Sequence, residues 1–205
     1  TVIETADATD VESVLELSNA VDGPVYIRMV RGEIPRLFPA KNQTILGKAR
    51  ILSLGSDITL LTSGICTEES LRVTDILKDR GIGVQHLHVT TLKPFDDHRV
   101  SEALAKARYG IITMENHTSI GGLGSCVAEM IAKFGIATKL IKVAINDTYL
   151  QGASRTFLME RYGIDVKALL SAIESLVGEK IDISDADLTT SRQDSFFNEN
   201  QQEAL

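Results

Sequence analysis

The chain has 205 residues with a hydrophobic fraction of 43%, enough for one full core and part of a second. Its 21 Lys and Arg against 28 Asp and Glu leave a net charge of −7, and the basic residues are scattered, which argues against a nucleic-acid groove. No apolar run approaches the roughly 20 residues that cross a bilayer; two cysteines with no signal-like N terminus fit a reducing cytoplasm and no disulfide framework.

Near the start, Thr9 or Asp10 can cap a helix that carries Val11, Val14, Leu15 and Leu17 at helical spacing. Asp22-Gly23-Pro24 breaks it, and residues 25–30 read as a strand ending at Arg31-Gly32. One helix and one strand cannot bury two faces by themselves. Residues 1–38 therefore read as the terminal helix and strand of an α/β domain that begins upstream. Residues 39–47 follow as an interdomain linker, within a stretch holding Pro35, Pro39, Asn42, Gln43 and Gly47.

Residues 48–177 alternate strand and helix patterns. The runs 49–54 and 58–62 flank Gly55-Ser56-Asp57. So short a glycine-containing gap predicts a hairpin that adds one antiparallel strand to a parallel sheet. A helix over about 67–79 carries Leu71, Ile76 and Leu77 on its apolar side, and Gly81 closes it. Residues 84–89 form a strand on which His86 and His88 share one face; with no third ligand in view, packing is the commoner role. Residues 92–96 read as a loop into a helix bearing Val100, Leu104 and Ala107, with His98 at its start. Strands follow at 110–114 and 139–145. Cys66 and Cys126 both open helices, where each reads as a small buried hydrophobe. The alternation predicts a three-layer αβα domain with a mostly parallel sheet plus one antiparallel strand. A short helix from about Ser154 stops at Tyr162-Gly163, and Asp165 can cap a last helix holding Val166, Leu169, Leu170, Ile173 and Leu176. Residues 178–205 are polar, relieved by Ile181, Ile183, Leu188 and Phe196-Phe197, and read as a solvated tail.

The densest chemistry lies at 113–125. Ile111, Ile112 and Met114 give way to Glu115, Asn116 and His117; Gly121, Gly122 and Gly124 follow; then Val127, Met130, Ile131 and Phe134 recur on one helix face. In an open α/β sheet, a strand that ends in a polar loop and feeds a helix N terminus usually carries a binding surface. These six loop residues are therefore a candidate loop or interface site. A bare strand-to-helix turn is the competing reading, since a dinucleotide fingerprint needs fuller spacing and a downstream acid.

Four segments in order carry a resemblance: Gly-Ser-Asp-Ile-Thr-Leu-Leu-Thr-Ser-Gly at 55–64, Thr-Leu-Lys-Pro-Phe-Asp at 91–96, Glu-Asn-His with Gly-Gly-Leu-Gly-Ser at 115–125, and Tyr-Gly-Ile-Asp at 162–165. Together they resemble the C-terminal domain of transketolase and its thiamine-diphosphate relatives. Residues 6–8 and 23–28 are similar to the last helix and strand of that family's pyrimidine-binding domain. The resemblance covers about 2–177.

What it implies is the C-terminal part of a transketolase-type enzyme, from the split form, that moves a two-carbon ketol unit between sugar phosphates in the cytoplasm. A 2-oxoacid dehydrogenase beta subunit or a 1-deoxyxylulose-5-phosphate synthase-like enzyme is the alternative within the class. A noncatalytic assembly or anion-binding module, its glycine-rich loop holding the anion, is the alternative outside it. The family holds thiamine diphosphate and Mg²⁺ or Ca²⁺ through a Gly-Asp-Gly…Asn element of a separate domain, and uses a glutamate early in the pyrimidine domain. Neither feature is in this sequence. No catalytic, cofactor-binding or metal-binding residue is therefore expected here, and the chain alone is expected to be inactive. The implied partners are an N-terminal diphosphate-binding domain or subunit, in a dimer or heterotetramer, and a sugar-phosphate substrate.

The family also places a phosphate-binding arginine in a Ser-Arg-Gln-x-Leu-Pro context after the last pyrimidine-domain strand. Val30-Arg31-Gly32-Glu33-Ile34-Pro35 matches it at Arg31 and departs at Val30 and Gly32. A guanidinium fork suits a phosphate; pairing with Glu33 or an interface carboxylate is the competing role. Arg28 reads as a structural ion pair. His117 reads as a loop histidine bonding across a domain or subunit boundary rather than as a proton carrier.

Overall fold

A computed structural model describes residues 1–32, 34–41, 43–184 and 187–188. In chain order the elements are β1 (Val2–Glu4), α1 (Ala8–Ser18), β2 (Tyr26–Arg28), β3 (Arg50–Ser53), β4 (Ile58–Thr62), α2 (Cys66–Asp79), β5 (Val84–His88), β6 (Thr91–Lys93), α3 (His98–Lys106), β7 (Gly110–Thr118), α4 (Leu123–Phe134), β8 (Leu140–Ile145), α5 (Arg155–Arg161) and α6 (Val166–Val177). A five-stranded sheet has the order β3-β5-β4-β7-β8. Its β5-β4-β7-β8 part is parallel, and β3 runs antiparallel to β5 at the edge.

Side chains alternate across a strand, so each face of the sheet builds its own core. Ile58, Leu60, Ile112 and Met114 meet Val73 and Leu77 of α2 and Leu169 and Ile173 of α6. On the other face Leu61, Leu87 and Ile111 meet Val100 and Leu104 of α3 and Leu123 and Val127 of α4. With both faces covered, β4 is buried at every residue, its two threonines included. This is the three-layer αβα arrangement with one antiparallel strand.

The predicted hairpin between the first two strands of this sheet does not form, because β5 lies between β3 and β4. The glycine serves a crossing instead of a turn. A Cβ on Gly55 would sit 2.3 Å from the carbonyl carbon of Gly83, so two bare backbones pass each other there. Asp57 secures the crossing: its amide donates to the Gly83 carbonyl at 2.9 Å, and its carboxylate accepts from the Gly83 amide at 2.8 Å.

A second, three-stranded sheet has the order β2-β1-β6. β1 runs parallel to β2 and antiparallel to β6. It joins residues near the N terminus to the segment after β5, where the sequence suggested only a loop. Three-residue strands are too short to show any period, so neither β1 nor β6 announces itself. The cap of α1 also differs from expectation. Asp7, not Thr9 or Asp10, is the N-cap, accepting from the Asp10 amide at 2.9 Å while its other oxygen takes the Leu37 and Phe38 amides at 2.7 and 2.8 Å. The 37–38 segment needs an acceptor there, and a cap at position 7 supplies both.

The last helix follows its sequence signals: Asp165 accepts from the Ala168 amide at 3.0 Å, and Gly178 ends the helix in the left-handed region. Where the sequence suggested a solvated tail, Ile181 and Ile183 pack partly buried against the α2–α6 side and Leu188 is buried. Phe196 and Phe197 lie outside the described residues.

Candidate functional site

The carboxyl ends of the central strands β4 and β7 meet the β1–β2 pair, and four polar side chains lock the junction. Glu4, buried on β1, accepts from the Ser63 hydroxyl at 2.7 Å and forms an ion pair with Arg28 of β2. Arg28 also donates to the Asn116 side-chain oxygen at 2.9 Å and to the Asn116 carbonyl at 3.0 Å. Arg28 is thus a structural ion pair, as its place on the strand suggested. Gly64 makes room for the convergence, since a Cβ there would come within 2.8 Å of the Glu4 carboxylate and 3.0 Å of Asn116 Oδ1.

Expectation placed Glu115, Asn116 and His117 in a loop, but they belong to β7. The strand continues because Thr118 still pairs with Ile145 of β8, after a register shift beyond Met114. Alternation then turns Glu115 inward, to the start of α4. Its two carboxylate oxygens accept from the Leu123 amide at 2.7 Å and the Gly124 amide at 2.8 Å. An acid at a helix N terminus satisfies unpaired amides and complements the helix dipole. Burial raises the Glu115 pKa, and these two amides only partly offset it.

The glycines make this seat possible. A Cβ on Gly122 would fall 1.9 Å from Glu115 Oε2, and one on Gly124 would be 2.9 Å from Thr113 Oγ1 and 2.8 Å from Lys142 Cδ. The loop is therefore bare because its own strand fills it. The two amides that would hold an incoming anion already hold Glu115. His117 Nδ1 lies 3.2 Å from the Thr118 carbonyl.

A cleft of about 650 Å³ opens between this strand end, the β1–β2 pair and α4, and Glu115, His117, Gly121 and Gly122 line it with Glu4 and Arg28. The structure thus brings four of the six candidate loop residues to one cavity, with Asn116 just behind on Arg28. It does not bring Arg31 there. Arg31 is exposed three residues beyond Arg28, outside the cleft lining, and forms no ion pair among the described residues. Glu33, its suggested partner, lies outside the described residues.

Both thiols are held above their ordinary range. Burial, then the charges of Glu4 and Glu69, push the Cys66 pKa well up; burial and Glu129 raise that of Cys126. A thiol kept protonated is a poor nucleophile. His86 and His88 share a face as expected, and both are fully buried. His88 Nε2 bonds Asp10 Oδ2 at 2.8 Å and its Nδ1 bonds the Thr67 hydroxyl at 2.8 Å. Thr62 bridges that hydroxyl at 3.0 Å to His86 Nε2 at 2.9 Å. Asp10 further accepts from the Thr44 hydroxyl at 2.6 Å and from Arg50 at 3.1 Å. This chain of groups looks like a proton relay but has no exposed member at either histidine, and it ties α1 to β5. Sequence reading missed Glu4, Ser63 and the partners of Asp10. The available signal was an acid on an otherwise apolar strand and another in a helix first turn, both calling for a partner in three dimensions that spacing does not reveal.

The start of α4 does not fit a diphosphate. The α4 amides are taken by Glu115, and no group of three or more His, Cys, Asp or Glu among the described residues could hold a metal ion. Nor is any described helix long and apolar enough to cross a membrane.

A three-layer αβα domain whose central strand ends are bonded to a β-α-β unit defines the class of α/β proteins to which the chain belongs. Residues 47–190 match the family described as "Transketolase, C-terminal domain", and the chain belongs to that family. It is similar to the 6-deoxy-6-sulfo-D-fructose transketolase subunit SqwH of Clostridium sp. (strain MSTE9), 33% identical over 180 residues that make up 88% of this chain and 55% of that protein. It is also similar to the 1-deoxy-D-xylulose-5-phosphate synthase of Chlorobium phaeovibrioides, 33% identical over 155 residues, 75% of this chain and 24% of that one. Among solved structures it resembles one titled "Split gene transketolase, inactive beta4 tetramer", with a TM-score of 0.78, 29% identity and coverage of 88% of this chain and 58% of that one. The chain spans about half the length of the first curated relatives it matches, 54% and 55%.

Proposed function

We propose that this chain is the C-terminal part of a transketolase-type transferase, which moves a two-carbon ketol unit between sugar phosphates once a diphosphate-binding domain or subunit completes it. The observation that carries this reading is the match of the whole αβα domain to the transketolase C-terminal family, together with the similarity to a transketolase subunit. The complete enzyme holds thiamine diphosphate and Mg²⁺ or Ca²⁺ in the complementary part, as a cytoplasmic dimer or heterotetramer. A synthase that builds 1-deoxyxylulose 5-phosphate is the second reading, favoured by the similarity to such enzymes; consumption of pyruvate in place of a ketose phosphate distinguishes it.

In this reading the chain's direct contact with substrate is Arg31, whose exposed guanidinium grips the phosphate end of the sugar, remote from the reacting carbon. In the completed enzyme Arg31→Ala should weaken phosphorylated substrates by roughly 1.5–3 kcal/mol, the worth of a charge-assisted bond. The loss should appear as a raised KM, with hydroxypyruvate, an unphosphorylated donor, little affected. Arg31→Lys should recover part of it. Equal losses on both donors would make Arg31 structural and remove the phosphate assignment.

A further inference from the structure

The geometry points to a second site, a pocket for a phosphate group where the segment leading into β3 meets the start of α3. A cavity of about 190 Å³ lies there, lined by Lys48, Arg50 and Arg99 with Ile45, Ala49 and Ile51. That is several times the ~30 Å³ share of a liquid water, room enough for a phosphate. The three cationic side chains come from three segments: Lys48 from before β3, Arg50 from β3 and Arg99 from α3. No carboxylate is among the described lining residues, although the chain as a whole carries a net charge of −7. Concave surfaces lined by one sign of charge concentrate the opposite ion. The glycine-rich start of α4 resembles an anion cradle in sequence but is filled by Glu115; the cations converge here instead.

The acids that hold these cations are buried and do not line the pocket. Asp10 Oδ1 accepts from Arg50 Nη1 at 3.1 Å, and Asp97 Oδ2 accepts from Arg99 Nη2 at 2.8 Å. The Arg50 guanidinium also lies over the Phe38 ring, 3.8 Å from its centroid, and Arg99 Nη2 donates to the Ala49 carbonyl at 2.9 Å. Two guanidinium groups are thus fixed before any ligand arrives, which lowers the ordering cost of binding. Asp97 serves two permanent cations with one charge, since Lys48 Nζ is 3.7 Å from its Oδ1, beyond a good hydrogen bond. Arg99 Nη1 has no hydrogen-bond partner among the described residues. Lys48 and Arg99, with 43% and 35% of their side chains exposed, therefore keep donors for an oxyanion, and Arg50 adds its charge. A phosphate group suits this set better than a carboxylate, because it carries more charge and more acceptor oxygens.

The test is a titration of the purified chain with inorganic phosphate, and separately with glycerol 3-phosphate, followed by amide NMR shifts at an ionic strength held constant with sodium chloride. Saturable shifts are expected at residues 43–51, Thr90 and Arg99, and none at 121–124. Tighter binding of glycerol 3-phosphate assigns the pocket to a phosphate ester; equal or weaker binding assigns it to the free ion. Lys48→Ala should weaken binding about two- to fivefold, as for an exposed charge pair, and Lys48→Arg should restore it. Ile51→Glu, which sets an acid on the pocket wall at a 44% exposed position, should weaken binding about tenfold or more. Shifts that do not saturate, that chloride alone reproduces, or that centre elsewhere, Arg31 included, would overturn the site, as would binding unchanged by Ile51→Glu. Because the readout is binding by the chain itself, the outcome does not depend on the transferase reading.

Discussion

Glu115 shows how one side chain can decide what a loop is for. Its carboxylate, on β7, takes two amides of α4, and the bare Gly122 lets it approach so closely that a methyl group would fall on an oxygen. Gly122→Ala should therefore destabilise the fold by about 1–3 kcal/mol, since the carboxylate must leave and two buried amides lose their acceptor. Urea unfolding with an unchanged slope would register this as a lowered midpoint; a midpoint equal to that of the parent would mean that the strand end shifts freely. The sequence made the glycines conspicuous and located the cluster, but not its logic. Gly-Gly-Leu-Gly-Ser looks like a cradle for an anion, and whether the anion comes from outside or from eight residues upstream depends on which way Glu115 points. Strand continuation through 115–118 decides that, and it depends on pairing with β8 at Thr118 and Ile145, a contact between distant parts of the chain.

At the level of elements, the attachment of α1 to β5 of the large sheet runs through Asp10, His88, Thr67, Thr62 and His86, all buried. Burial alone would raise the Asp10 carboxyl, but the hydrogen bond and charge of His88, with the Thr44 hydroxyl and the Ala6 amide, hold it far below the usual carboxylate range. Burial, and then the charge of His88, lower His86 to about 3. Both folded values lie below those of the unfolded chain, about 3.9 for Asp and 6.5 for His. The unfolded state therefore binds more protons as pH falls, and stability must drop. The histidine contribution is complete above pH ~6.5 and declines from there toward 3, and the aspartate contribution begins to fail only below ~3.9. Melting temperature should thus fall between pH 7 and 5, and His86→Leu should flatten that interval while leaving the steeper loss below pH 4. An equal slope in the variant would show that His86 does not titrate on unfolding. Long periodic elements such as α2, α4 and α6 were legible in the sequence, and so were the helix start near Ser154 and the cap at Asp165. The hairpin was misread because a glycine at a backbone crossing and a glycine in a turn look alike in one dimension. β1 and β6 escaped because three residues carry no period.

For the whole molecule, the αβα domain was legible because each layer repeats a pattern that its own residues satisfy. In the N-terminal β-α-β part the sequence showed the helix and the second strand, and β1 completes it. The cleft beside β1 and β2, with Tyr26 59% exposed at its edge, is in keeping with a surface that a complementary part covers. The capacity for cofactor chemistry should then be a property of the assembly. The α4 N terminus is filled by Glu115, and three buried acids are held in ion pairs: Glu4 with Arg28, Asp10 with Arg50 and Asp97 with Arg99. Titrating the purified chain with thiamine diphosphate in the presence of Mg²⁺ should accordingly give no micromolar binding by calorimetry, and the chain should show no ketol transfer. Adding a transketolase N-terminal subunit that completes it should produce both, at a stoichiometry set by the complex and with Arg31 required for phosphorylated substrates only. Micromolar binding by the chain alone would mean that a diphosphate site exists among its own residues, and the division of labour between the two parts would have to be redrawn.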